Sequence, residues 1–98
     1  MRLDRRKFER WLKAKRPAEI VGHNRDCHSC PIANFYSDTG GGEIVIFDTG
    51  DRYVIDRGYM RTRAPSWAAQ FIFEVDGDHD GLGKISAGRA LEALAECV

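Results

Sequence analysis

Apolar residues near the start of the chain recur with the spacing of a helix. Phe8, Trp11, Leu12 and Lys15 fall at i, i+3, i+4 and i+7, which is one helical face. Asp4 can cap that helix, which runs to about Lys15, while Arg6, Arg10 and Lys13 form a stripe on its other side. Pro17 stops it and suits the first position of a short second helix closed by Gly22. Residues 23–29 are polar and irregular. Pro31 then opens a third helix carrying Ile32, Phe35 and Tyr36, which Gly40-Gly41-Gly42 ends.

The pattern changes after the glycines. Glu43-Ile44-Val45-Ile46-Phe47 is β-branched and apolar on both faces, as in a strand covered on both sides. Turn residues Asp48-Thr49-Gly50-Asp51 and Asp56-Arg57-Gly58 separate it from Arg52-Tyr53-Val54-Ile55 and Tyr59-Met60-Arg61-Thr62. These three segments predict an antiparallel meander. Helical spacing returns at Trp67, Phe71 and Val75, behind Pro65 and Ser66. Ser86 is a good cap for a last helix whose buried face carries Ala87, Leu91, Leu94 and Val98. The expected architecture is α+β in a single domain over residues 1–98: N-terminal helices, a small three-stranded antiparallel meander, and a C-terminal helical hairpin.

Composition supports one modest core, with 43% hydrophobic and 10% aromatic residues in 98. No apolar run approaches the roughly 18 residues of a membrane span, and no membrane role is expected. The basic opening, Met1 to Lys7, is not followed by the apolar region of a secretory signal, so the expected location is cytoplasmic. Net charge is zero but unevenly spread. Residues 1–16 carry eight Lys/Arg against two acidic residues, and residues 74–98 carry six Asp/Glu against two basic ones. Arg6, Arg10 and Lys13 are therefore the candidate anion-binding residues, and nucleic acid is a candidate partner through them. No helix-turn-helix, finger or RNA-binding signature accompanies the stripe, and a charged outer face carried for solubility is the better reading.

The densest chemistry lies in V-D-G-D-H-D-G-L-G-K-I-S-A, residues 75–87. Alternating carboxylates closed by glycine deliver the oxygen ligands that calcium requires. The segment resembles the first half of an EF-hand loop, with Asp76, Asp78 and Asp80 as side-chain ligands, Gly81 at the turn and the Leu82 carbonyl behind it. Two features depart from that loop. Gly83 stands at the usual apolar position, with Ile85 two places late, and Ala87 replaces the bidentate glutamate. The simpler reading is an acidic turn between two helices, for which Asp and Gly are the residues turn chemistry selects.

A second cluster, His23, Cys27, His28 and Cys30, brings together ligand types that zinc prefers, but no second ligand pair completes the set. Its C-x-x-C also sits ahead of a predicted helix, where a helix N-terminus lowers a thiol's pKa. No strand precedes it as a thioredoxin-like site requires. Three cysteines without a signal argue against a secreted disulfide framework.

Phe73 lies off the Trp67–Phe71–Val75 face, beside Gln70 and Glu74, and is the candidate contact for a partner protein. No G-x-S-x-G, no phosphate-cradling loop and no converging histidines suggest catalysis. The chain as a whole resembles small prokaryotic and phage-type proteins, through F-E-R-W-L, V-G ahead of C-P-I-A, W-A-A-Q-F ahead of V-D, and I-S-A-G-R-A-L. That resemblance implies a compact stand-alone domain with no activity attached. The expected function is a non-enzymatic binding or regulatory module that acts through protein–protein contacts and requires no cofactor. An inhibitor from a phage or mobile element is one form of it. A metal-binding domain, with calcium at Asp76–Asp80 or zinc at Cys27/Cys30, is the alternative.

Overall fold

A computed structural model of the chain describes residues 3–23, 26, 28–48, 53–58, 60–77 and 83–97. The elements run α1 (Arg5–Lys13), β1 (Ile20–His23), α2 (Pro31–Asp38), β2 (Val45–Asp48), β3 (Tyr53–Asp56), β4 (Arg61–Arg63), α3 (Ser66–Asp76), β5 (Lys84–Ser86) and α4 (Ala87–Ala95). The α+β architecture is the expected one. Its meander pairs β2 with β3 and β3 with β4, each antiparallel.

Local chemistry explains the helix ends. Asp4 accepts from the Arg6 and Lys7 N–H groups, at 2.9 and 3.3 Å, and so caps α1. Pro31 occupies the first turn of α2, where a missing N–H costs nothing. Past the end of α2, Gly40 takes a φ of 85° and lets the Gly41 N–H reach back to the Tyr36 carbonyl at 2.8 Å. That six-to-one bond needs a left-handed residue, which glycine adopts without strain. Ser86 caps α4 through the Arg89 N–H at 3.1 Å.

The expectation of a second helix fails. Residues 17–22 turn and enter β1, which pairs antiparallel with β5. The pairing matches Gly22 with Ile85 and His23 with Lys84. Side-chain shape explains why glycine is needed at the crossing. A Cβ on Gly22 would lie 2.6 Å from the Pro31 nitrogen and 2.8 Å from the Ser29 carbonyl oxygen, so the strand reaches α2 only without one. Further bonds fasten the junction. The Asn34 amide donates to the carbonyls of Val21 and Ser29, and the carbonyls of Glu19 and Pro17 receive the first N–H groups of α4, from Ala87 and Gly88. Those two bonds satisfy donors that a helix start leaves orphaned.

The buried apolar side chains form one cluster drawn from all four helices and both sheets. At its centre Phe8, fully buried, meets Phe35 and Phe71 edge-on, with ring centroids 5.4 and 5.2 Å apart. Such pairs contribute about 0.5–1.5 kcal/mol each beyond their burial. Phe8 and Leu12, Phe71 and Val75, and Ala87 and Leu94 are buried as expected, with Trp11, Trp67 and Leu91 packed at the edge, while Val98 lies outside the described residues. Arg5 donates from Nη2 to the Leu94 carbonyl at 2.9 Å, placing a cation at the negative end of α4 and joining the chain's two ends. Among the described residues, no helix is long and apolar enough to cross a membrane.

Candidate functional site

Helix α3 presents two unlike faces. Ala68, Phe71, Ile72 and Val75 turn inward, and Gln70, Phe73 and Glu74 turn outward. Phe73 keeps 72% of its surface exposed, the highest value among the described large apolar residues. Helical spacing forces this. With Phe71 and Val75 fixed in the core, a residue two places from each points about 200° away.

Packing of α4 against α3 adds residues that spacing along the sequence does not bring to Phe73. A depression of about 380 Å³ beside the ring is lined by Ala69, Gln70, Glu74, Glu96 and Cys97. Glu74 makes a long ion pair with Arg89, at 3.9 Å. Cys97 is buried, donates from Sγ to the Ala93 carbonyl at 3.2 Å, and has its thiol pKa pushed up by burial. The patch thus combines an exposed aromatic ring, apolar walls and two carboxylates. The sequence signal for it was the acidic bias of residues 74–98, which does not by itself point to Glu96.

The acidic loop reaches the described residues only at its ends. Asp78, Asp80 and Leu82 lie outside them, and Asp76 forms the last turn of α3. Beyond the loop, β5 leads directly into α4, and Ile85 is fully buried against β1. The late apolar residue is therefore a core anchor.

Cys27 also lies outside the described residues. His23, at the end of β1, and His28 are exposed, whereas Cys30 is buried. The Cys30 Sγ accepts the Ala33 N–H at 3.5 Å as the cap of α2. Burial pushes its thiol up to about 11, outweighing the stabilising N–H groups of the helix end. Cys30 is thus a small buried residue behind Pro31, and burial opposes the lowering that a helix start alone would give. Among the described residues, no group of three or more His, Cys, Asp and Glu side chains is arranged to hold a metal ion.

Arg6, Arg10 and Lys13 are all exposed along α1, as the stripe predicts. Lys13 is engaged by Glu9 at 2.9 Å, one turn back, and this contact holds the Glu9 carboxyl below its usual range. On the other flank, Lys15 packs 4.7 Å over the Trp11 ring and lies 3.7 Å from Asp38. No family model, curated protein or solved structure matches the chain.

Proposed function

We propose that the protein is a non-enzymatic binding module that grips a partner protein through the Phe73 face. The observation that carries this reading is the 72% exposure of a phenylalanine on a helix whose other aromatic positions are packed. Leaving a large ring in water forgoes roughly 1.5–3 kcal/mol of burial, which a partner can recover. Glu74 and Glu96 flank the ring, so the complementary surface is an apolar side chain bordered by lysine or arginine. An inhibitor carried by a phage or mobile element is one form of such a module, acting by covering a site on another protein.

Affinity capture from cells of the source organism tests the reading with wild type, Phe73→Asp and, as a surface control, Lys7→Asp. A protein held by wild type and Lys7→Asp, lost with Phe73→Asp, and then rebuilt as a purified one-to-one complex supports it. Equal retention by all three proteins overturns it.

A calcium-binding reading has one observation in its favour. Asp76 closes α3 and β5 opens at Lys84, so the carboxylate-rich segment lies between a helix end and a strand that leads into α4. Calcium in the micromolar range that raises the melting temperature, and does so no longer in Asp76→Asn, supports it. Melting that is the same in calcium and in chelator overturns it.

A further inference from the structure

Strands β3 and β4 border a second cleft, of about 470 Å³, closed by α2 and by Leu3 ahead of α1. Tyr36 and Ile55, both buried, lie at its floor, and Arg57, Thr62 and Arg63 line it. Among the described residues that line it, none is acidic. Asp56, beside Arg57 in the chain, is engaged by the Gly58 N–H at 2.8 Å and by Arg61 at 3.1 Å.

Arg57 is held in place from several sides. Its Nη2 donates to the Tyr36 hydroxyl at 3.0 Å, its guanidinium carbon stands 5.4 Å from the centre of the Tyr36 ring, and its backbone N–H is tied to the Met60 carbonyl at 2.9 Å. A half-buried cation on a buried aromatic differs from the flexible, solvated arginines of α1. Its position is set before any ligand arrives, which lowers the ordering cost of binding.

We infer that this cleft binds a small phosphate monoester carried on an apolar or aromatic body. A phosphate dianion offers three terminal oxygens, and the cleft offers donors for them. Arg57 and Arg63 supply the charge, and Thr62 supplies a hydroxyl. The buried Tyr36 oxygen accepts from Arg57 and so fixes the guanidinium at the floor of the cleft. Leu3, Ile55 and Pro65 form the apolar wall against which the ligand body lies. The volume falls in the range of roughly 300–1,000 Å³ that small-molecule sites occupy. This site does not depend on the Phe73 reading, since the two depressions share no residue.

Titration of isotope-labelled protein with phenyl phosphate, followed by amide NMR, tests the assignment, with benzoate as a carboxylate of similar body. The expected result is saturable binding whose shifts centre on Tyr36, Arg57 and Thr62, with benzoate at least tenfold weaker. Arg63 is exposed, so Arg63→Gln leaves the fold intact and weakens phenyl phosphate about tenfold or more, whereas Arg6→Gln on α1 leaves binding unchanged. Arg57→Lys keeps the charge but loses the fork, and also weakens binding. The assignment is overturned by shifts that do not saturate, by shifts centred on Arg6, Arg10 and Lys13, by equal binding of benzoate, or by wild-type affinity in Arg63→Gln.

Discussion

The chain builds two antiparallel sheets that differ in reach and in burial. The meander joins β2, β3 and β4, neighbours in sequence, whereas β1 and β5 bring residues 20–23 against 84–86. In the long-range pair, Val21, Gly22 and Ile85 are buried and the backbone presses against α2 and α4. In the outer strand of the meander, Arg61 and Arg63 are exposed, and Met60 beside it keeps 45% of its surface. Closing so long a loop costs chain entropy that only dense packing at the junction can offset. The β1–β5 junction is thus tied into the core, whereas the meander edge carries polar and cationic groups.

The sharpest way to break this contrast is Gly22→Ala. Gly22 has no positive φ, so its requirement is space and not backbone freedom. The added methyl meets backbone atoms of Ser29 and Pro31, which cannot swing aside as a side-chain tip would. We expect a loss of about 3 kcal/mol or more, a large share of the roughly 5–15 kcal/mol that holds a small domain. Urea denaturation measures it, and wild-type stability in this variant would mean that β1 does not press on α2 as described.

Next in size is Ile85→Ala, set beside Met60→Ala. Removing a fully buried isoleucine side chain from the junction should cost about 2–4 kcal/mol, while truncating the half-exposed methionine should cost under about 0.5 kcal/mol. Similar costs for the two would erase the distinction between the sheets.

Alkaline pH probes the same junction through Cys30, which caps α2 just before the proline that Gly22 approaches. Its thiol is raised from an ordinary 9.0 to about 11 by burial. The unfolded chain therefore releases this proton first, so the contribution is complete below about pH 9 and falls as pH climbs through about 11. The loss from this group is on the order of 2–3 kcal/mol. Denaturation midpoints measured across that interval should fall, and Cys30→Ala should remove this part of the slope.

Legibility in the sequence follows the same division. The meander was readable because β-branched runs and turn residues sit side by side, although its third strand begins at Arg61, later than the turn at 56–58 implied. The helices were readable from Phe8 and Leu12, from Phe71 and Val75, and from the caps Asp4 and Ser86. β1 was not. Pro17 and Gly22 carry strong helix-boundary chemistry, and nothing within residues 17–22 records that the partner strand is Lys84–Ser86. Ile85 was misplaced for a related reason: measured against an ion loop it is two positions late, but measured against β1 it stands where the pairing needs it. Phe73 was identified as a candidate contact because helical periodicity excluded it from the core face. The cleft at Arg57 was invisible because Tyr36, Arg57 and Arg63 meet only once α2 packs on the meander.

The smallest expected effects fall on the two surfaces proposed to bind. Phe73→Ala and Arg63→Gln remove side chains that lie largely in water, so each should change unfolding free energy by less than about 0.5 kcal/mol. Phe71→Ala, two places from Phe73 on the same helix, removes a fully buried ring and should cost about 3–5 kcal/mol. Thermal or urea unfolding of the three variants measures the gap. If Phe73→Ala proved as damaging as Phe71→Ala, the ring would be part of the core and would have no surface to offer a partner. If it is neutral, any loss of partner capture in a Phe73 variant reports on binding alone.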